Sequence, residues 1–244
     1  MPTAQAWNEN SVSEVAKRLE SKDAEGVLRW GVETFFPRIG FASSFGAEDV
    51  VVIDILMKIN REVTIFTLDT GRLPEETYEV MDQIRQRYTV PITSYFPDKA
   101  AVEKLEREKG FYSFRQSVEN RKECCGIRKV EPLNRALQGL EAWITGLRRE
   151  QAVTRSGLPK AELDSAHRNI VKLNPISDWT TDQVWDYLRK NQIPYNKLHD
   201  RNYPSIGCAP CTRAIKPGED IRAGRWWWEL PEQKECGLHV KPGH

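Results

Sequence analysis

The 244-residue sequence predicts an open α/β fold, with a mostly parallel sheet and helices on both of its faces. Short apolar segments typical of buried strands alternate with amphipathic segments of helical periodicity through most of the chain. The last ~40 residues break this alternation with prolines, arginines and a run of tryptophans. We therefore expect an α/β core over residues 1–205 and an irregular C-terminal segment over residues 206–244.

The individual elements are predicted from their periodicity. The strands are short apolar runs at residues 39–43, 63–68, 92–95, 142–145 and 170–173. The helices have apolar residues at helical spacing, over residues 12–19, 24–35, 47–59, 74–88, 130–137 and 180–190. In the last of these, Thr180 is a typical N-cap, and Val184, Tyr187 and Leu188 lie on one face.

Charge and hydropathy limit the function classes. The chain has 36 Lys and Arg against 35 Asp and Glu, a net charge of +1, which predicts no general attraction to nucleic acid. The sequence has neither an apolar run long enough to span a membrane nor a secretory signal. We expect a cytoplasmic protein that binds neither nucleic acid nor membrane. The oligomeric state is not determined by the sequence, and a homo-oligomer is compatible with it.

Two turns follow predicted strands, and their residue types suit an anion. One runs from Ser43 to Asp49 and the other from Leu68 to Gly71, while Arg148 follows a third strand. Because the carboxyl ends of parallel strands meet at one edge of a sheet, we expect all three at a ligand crevice. Short Gly/Ser turns are also common as plain connections. Neither a P-loop nor a GxGxxG fingerprint is present, which removes the usual support for a kinase or a dinucleotide-dependent dehydrogenase.

Four of the five cysteines form two pairs, Cys124-Cys125 and Cys208-x-x-Cys211. Four thiolates suit a tetrahedral zinc ion or an iron–sulfur cluster. Adjacent cysteines do not easily direct both sulfurs at one ion, whereas a cubane cluster offers a separate iron to each, so the spacing favours [4Fe–4S]. The alternatives are a zinc site, or two buried core thiols together with a redox dithiol.

The C-terminal segment carries the fifth cysteine and two arginines. Cys236 has Lys234 and His239 nearby, and basic neighbours favour the reactive thiolate; a cysteine without a role is the alternative. Arg222 and Arg225 precede three tryptophans. Such arginines suit sulfate or phosphate oxygens, but they also suit RNA or a solvated surface.

Taken together, these segments resemble the sulfonucleotide reductases of assimilatory sulfate reduction, in particular the iron–sulfur adenylyl-sulfate (APS) reductases. The resemblance covers residues 40–239, nearly the whole chain. The matching segments are SSFGAED, LDTG.LPEET, KECCGIRKVEPL, TGLRREQ, the run from NPISDW to GCAPCTR, GEDIRAGRWWWE and KECGLH.

The resemblance implies an adenine nucleotide α-hydrolase-like fold, related to ATP pyrophosphatases. Those relatives carry an SGGxDS loop, from which this sequence departs at Phe45 and Ala47, and Glu48-Asp49 adds negative charge. The departure argues against ATP and fits a nucleotide with one phosphate and one sulfate.

The resemblance also implies roles for individual residues. Cys124, Cys125, Cys208 and Cys211 would hold a [4Fe–4S] cluster. Cys236 would attack the sulfur of APS and expel AMP, leaving an S-sulfocysteine, with Lys129, Arg222, Arg225 and His239 as further catalytic residues. The nucleotide would be bound by Ser43, Ser44, Phe45, Gly46, Leu68, Asp69, Thr70 and Arg148. Sulfite release would need a dithiol protein in trans, thioredoxin or glutaredoxin, because the other four cysteines are committed to the cluster.

Three alternatives stay open at this point. The substrate could be the 3′-phosphorylated nucleotide PAPS, or both nucleotides. A more remote alternative is an RNA-binding or RNA-thiolating protein on the same fold. A non-catalytic zinc-stabilised module is the third.

Overall fold

One six-stranded sheet is built from the described residues in the order β3-β2-β1-β4-β6-β5. The structure is a computed structural model that describes residues 7–152, 155–230 and 238. The strands are β1 (Ile39–Ala42), β2 (Thr64–Leu68), β3 (Ile92–Tyr95), β4 (Ala142–Ile144), β5 (Ala161–Asp164) and β6 (Ile170–Leu173).

The central strands β1, β4 and β6 are parallel, and β5 pairs antiparallel to β6 at the edge. Gly40 pairs with Trp143, and Trp143 pairs in turn with Lys172. The chain builds the sheet outward from β1 in both directions: β2 lies on one side of β1, and β4 lies on the other. Ligands of open α/β sheets bind outside the carboxyl ends of strands at such a point. The predicted fold class is confirmed.

Eight α-helices lie within the described residues. They are α1 (Glu9–Glu20), α2 (Ala24–Phe35), α3 (Ala47–Ile59), α4 (Glu75–Tyr88), α5 (Lys99–Lys109), α6 (Val118–Cys125), α7 (Glu131–Ala136) and α8 (Thr181–Asn191). The N-cap of α8 is Thr180, which forms a capping box with Gln183. Helix α3 is buried from Val50 to Met57 and is apolar on nearly all sides, as expected of a helix inside a core. No described helix is long and apolar enough to cross a lipid bilayer.

Contacts divide the chain into two compact units. Unit 1 contains residues 1–43, 47–65 and 139–193, and unit 2 contains residues 44–46, 66–138 and 194–244. In unit 1, α3 packs against α2 and α8. In unit 2, the described residues after 193 group with the residues between β2 and β4. The boundary predicted near residue 205 stays a prediction.

Most elements agree with the sequence prediction to within one to three residues, but α5, α6 and β5 were missed. Helix α5 has one buried residue, Leu105, so its sequence KAAVEKLEREK shows no apolar stripe. Helix α6 is equally polar, and the pair of cysteines at its end masks it further. Strand β5 has four residues and pairs with β6 alone at the edge of the sheet, so it lacks the continuous apolar run that predicts a central strand.

Candidate active site

The first cysteine pair lies at the C-terminal end of α6. Ser117 caps the start of this helix by accepting a hydrogen bond from the amide of Asn120, and the helix continues into a π-helical turn, Gly126–Val130. Successive residues of a helix diverge by about 100°. Cys124 is accordingly buried, while Cys125 is half-buried. Adjacent cysteines can therefore reach different corners of one ligand.

The second pair, Cys208 and Cys211, is held against the segment from Arg222 to Glu229, which we call the arginine–tryptophan segment. Thr212 and Arg225 form an antiparallel bridge. The amide of Trp226 donates to the carbonyl of Cys211 over 3.1 Å, and the amide of Arg213 donates to the carbonyl of Gly224 over 3.0 Å. Backbone pairing thus places Arg225 and Trp226 beside the Cys208–Cys211 loop.

All four thiols line one cavity within unit 2, with about 380 Å³ of empty space that is partly open to solvent. The lining residues are Arg72, Phe114, Arg121, Cys124, Cys125, Arg128, Lys129, Cys208, Cys211, Arg225 and Trp226. Five of these are cationic, and none of the described lining residues is acidic. The cavity therefore suits an anionic group.

One carboxylate orders two of these cations. Glu106 accepts hydrogen bonds from Arg72 over 2.9 Å and from Arg128 over 2.6 Å. Arg128 also donates to the carbonyl of Thr70 over 2.7 Å. The amide of Ala209 donates to the carbonyl of Arg72 over 2.8 Å, so the same network reaches the second cysteine pair.

A buried ion pair connects α6 to the arginine–tryptophan segment. Arg121 donates two hydrogen bonds to Glu229, at 2.9 and 2.8 Å, and the two side chains are 1% and 3% exposed. The Trp226 ring lies near both Arg121 and Arg225, whose guanidinium carbons are 4.8 and 4.7 Å from its centroid. These contacts hold Arg225 in the cavity wall.

The motif predicted to bind the nucleotide also contacts the cysteine site. The hydroxyl of Thr70 lies 3.2 Å from the sulfur of Cys208 and accepts a hydrogen bond from the amide of Arg72. Asp69 accepts hydrogen bonds from the amide of Gly71 and from the hydroxyl of Tyr78. Burial first, and the Asp69 carboxylate second, raise the pKa of Tyr78 to about 12.

Burial also acts on the thiols. It raises the pKa of Cys124, with the cations Arg128 and Arg72 opposing it. Burial and the neighbouring Cys208 raise the pKa of Cys211 to about 12, with Lys129 opposing. The protein thus packs these thiols tightly while surrounding them with cationic side chains.

The described residues fit a cluster with one thiolate per metal. No three described His, Cys, Asp or Glu side chains converge on a point where one ion could be held. Thiolates of a cubane bind separate irons and need not converge in that way. Two buried N–H groups, Nε of Arg128 and Nε1 of Trp228, have no hydrogen-bond partner among the described residues. N–H donors of this kind are what the sulfurs of an iron–sulfur cluster accept from.

The other predicted catalytic residues are placed unequally. Lys129 and Arg225 line the cavity, and Lys129 lies in the π-helical turn Gly126–Val130. Arg222 is half-exposed and is not one of the described residues that line the cavity. Cys236 and His239 lie outside the described residues.

In unit 1, Arg148 is fully engaged by protein atoms. It is 3% exposed, and its guanidinium donates to Glu48, Glu150, Thr181 and the carbonyl of Trp179. These bonds use all the N–H groups that an arginine has. The loop after β4 is therefore fixed to the start of α3.

The turn after β1 contains an unusual backbone. Ser43 is buried and Ser44 is exposed. Phe45 is buried with φ of 57°, in the left-handed region that favours glycine. Phe45 occupies the place of a glycine in the SGGxDS pattern, so the chain keeps a glycine-like backbone while adding an aromatic ring. Bulky residues keep such a conformation where the surroundings enforce it, often at functional sites.

The sequence matches the phosphoadenosine phosphosulfate reductase domain over residues 38–214, more than two thirds of its length. The chain belongs to this family. The resemblance predicted from the motifs is thereby confirmed, and the chain is an oxidoreductase of sulfur groups.

Three similar curated proteins are named adenosine 5′-phosphosulfate reductase. The protein from Allochromatium vinosum is 47% identical over 98% of this chain and 86% of its own length. The protein from Burkholderia cepacia is 50% identical over 93% of this chain and 89% of its own length. The protein from Neisseria meningitidis is 52% identical over 82% of this chain and 81% of its own length.

Solved structures support the fold. A phosphoadenylyl-sulfate (PAPS) reductase from Candida auris, in a phosphate complex, has a TM-score of 0.74 and 28% identity, covering 87% of this chain and all of that one. FMN adenylyltransferase from Candida glabrata has a TM-score of 0.55 at 15% identity over 95% of this chain and 78% of its own, which shows the shared fold alone.

Sequence reasoning missed several residues that shape the cavity, among them Arg72, Glu106, Arg121, Arg128 and Glu229. Arg121 and Glu229 are separated by more than a hundred positions, and no periodicity links them. Arg128 adjoins the predicted Lys129 and could have been found from that position. The fixed spacing of the cysteines was the signal that identified the cavity.

Proposed function

We propose that this chain catalyses the thioredoxin-dependent reduction of APS to sulfite and AMP, in sulfate assimilation and cysteine biosynthesis. The observation that carries the proposal is the single cavity lined by four cysteines and five cationic side chains. The relatives named adenosine 5′-phosphosulfate reductase, at 47–52% identity, support the choice of nucleotide.

Cys124, Cys125, Cys208 and Cys211 would hold a [4Fe–4S] cluster, one thiolate to each iron. Support comes from the divergence of the adjacent pair on α6, the cationic wall and the two buried N–H donors. When bound, the cluster supplies local charge and helps to position the substrate.

Cys236 acts as the nucleophile. Its thiolate attacks the sulfur of APS, the bond from sulfur to the phosphate oxygen breaks, and AMP leaves with that electron pair. AMP phosphate is a good leaving group, so the reaction needs neutralised sulfate oxygens rather than a general acid. Arg225, Lys129 and Arg222 supply the positive charge that neutralises the sulfate oxygens. Lys234 and His239, near Cys236 in the sequence, favour its thiolate form.

The nucleotide is held by the residues after the strands. We assign its contacts to Ser43, Ser44, Phe45, Gly46, Leu68, Asp69 and Thr70. Within unit 1, Arg148 holds the loop after β4 against the start of α3.

Sulfite is released by an external dithiol. A thiolate of the dithiol attacks Sγ of the S-sulfocysteine, and sulfite leaves with the electron pair of the S–S bond. The second thiol then attacks the mixed disulfide, which regenerates Cys236 and leaves the reductant as a disulfide. Thioredoxin is the expected donor and glutaredoxin the alternative.

The decisive experiment is to mix anaerobically purified protein with APS, quench it without reductant, and measure intact mass. We expect an adduct of about 80 Da on the peptide that contains Cys236. The Cys236→Ser variant should lack the adduct but keep the brown absorption at about 400 nm that a cubane shows. Absence of the adduct in the unaltered protein would refute the mechanism.

The second candidate substrate is PAPS. The similarity to the Candida auris PAPS reductase, at 28% identity, favours testing it. Initial rates with each nucleotide under the same conditions separate the two, and equal or faster turnover of PAPS would overturn the preference for APS.

A further inference from the structure

A surface in unit 2 has the composition of a protein-binding site and no role in the steps above. Phe111 and Tyr112 are 66% and 59% exposed, and Trp227 is also exposed. Arg115 lies between them, with its guanidinium carbon 4.9 Å from the centroid of Tyr112 and 5.3 Å from that of Trp227. We call Phe111, Tyr112, Arg115 and Trp227 the aromatic–arginine patch.

Arg115 anchors the patch to the structure beneath it. The guanidinium carbon of Arg115 also lies 5.8 Å from the centroid of the Phe114 ring and 5.4 Å from that of the Trp228 ring. Phe114 belongs to a buried apolar cluster with Leu105 and Cys124, and Trp228 packs against that cluster. It donates a hydrogen bond over 3.0 Å to the carbonyl of Pro210, inside the Cys208–Cys211 loop. Tyrosine, tryptophan and arginine dominate the binding energy of protein interfaces. An ordered patch loses little entropy when a partner docks.

The covalent chain limits where the reductant can act. Cys236 is six residues after Leu230, which is exposed and follows Trp227 by three positions. A fully extended chain spans at most about 3.3–3.6 Å per residue, so Cys236 stays within roughly 20 Å of Leu230. A protein that reduces the S-sulfocysteine must therefore reach a point within that distance of Leu230, and the patch, which includes Trp227, lies within this range.

We propose that the aromatic–arginine patch docks the protein dithiol that releases sulfite from Cys236. This inference rests on the proposed function, in which Cys236 carries the sulfonyl group. The occupant is a dithiol protein that presents an apolar surface around its reactive cysteine. Docking brings its thiolate to the S-sulfocysteine, sulfite leaves, and the two electrons come from the dithiol.

The test compares two reductants on the holoenzyme. Phe111→Ser/Tyr112→Ser is the test variant, Phe111→Ser alone is a milder second variant, and Phe96→Ser, at a residue 55% exposed elsewhere in unit 2, is the matched control. With thioredoxin varied, we expect kcat/KM for thioredoxin to fall about tenfold or more in the double variant and to stay unchanged in the control. With dithiothreitol, which needs no docking surface, all variants should release sulfite equally.

Each other outcome has a distinct meaning. Unchanged kinetics with thioredoxin would overturn the docking proposal, and so would equal losses with both reductants, which would indicate damage to the site. Sedimentation of each variant is compared with that of the unaltered protein, and dissociation of an oligomer confined to the patch variants would assign the patch to a second copy of this chain. Failure to form the adduct on Cys236 with APS alone would refute the proposed function itself.

Discussion

The buried pair Arg121–Glu229 gives the sharpest stability prediction. Both side chains are almost fully buried, at 1% and 3% exposure, and two hydrogen bonds join them. Glu229→Ala leaves the Arg121 charge buried without its carboxylate, which costs about 3–5 kcal/mol. For a chain of this size, each kcal/mol lowers the Tm by about 2–4 °C, so we expect a decrease of roughly 6–20 °C.

The matched control is Glu131→Ala. Glu131 also binds an arginine, Arg135, through two hydrogen bonds, but these side chains are 46% and 41% exposed. Exposed pairs contribute about 0–1 kcal/mol, so this variant should lose no more than about 4 °C. Thermal unfolding of anaerobic samples, followed by tryptophan fluorescence at one heating rate, measures both.

A double variant tests the physical reason. Arg121→Met/Glu229→Leu removes both charges from the interior, and apolar replacements of a buried pair are often neutral or stabilising. We expect it to regain most of the Tm lost in Glu229→Ala. The reasoning is refuted if Glu229→Ala unfolds at the temperature of Glu131→Ala, or if the double variant is as unstable as Glu229→Ala.

Three further predictions follow from single contacts. A Cβ at Gly207 would overlap the guanidinium of Arg225, so Gly207→Ala should lower the rate of adduct formation, while Gly157→Ala, with nothing within 4 Å of the added carbon, should not. The pKa of Tyr78 is raised from 10.0 to about 12, so the neutral phenol stabilises the folded state fully below pH 10 and this contribution is lost as the pH rises to about 12. The ultraviolet absorbance of phenolate, with Tyr78→Phe as reference, measures the ionisation of Tyr78. Ionisation at pH 10 would contradict the prediction. Arg148→Lys should lower the Tm, because lysine cannot replace the guanidinium's full set of bonds, and an unchanged Tm would count against a structural role.

Local pattern was enough to predict much of the fold. In α8, a capping residue, an apolar face and a polar face all agree, and the helix lies within a residue of its prediction. Helix α5 is stabilised by contacts that leave no stripe in the sequence, since Leu105 is its one buried residue. Its Glu106 nevertheless orders two arginines of the cavity, so the missed helix carries a residue that shapes the site.

The site was predictable to the extent that its residues share a fixed spacing. Cys208 and Cys211 are three positions apart, and such a pair is informative by itself. The hydrogen bond between Thr70 and Cys208 joins two motifs separated by more than a hundred positions. No sequence signal specifies such a pairing, because it depends on how the folded chain brings a strand end against a distant loop.

The geometry of Arg148 bears on how this chain handles two anionic groups in one substrate. Each N–H of its guanidinium already has an acceptor, and Glu48 takes two of them. A phosphate could bind there after displacing Glu48, which would leave a carboxylate unpaired beside another anion. Arg225 lines the cavity, where its guanidinium donates to the hydroxyl of Ser205 over 3.3 Å and to the carbonyl of Ile206 over 3.2 Å. We propose that Arg225, which lines the cavity, neutralises the transferred group, and that Arg148 holds its loop.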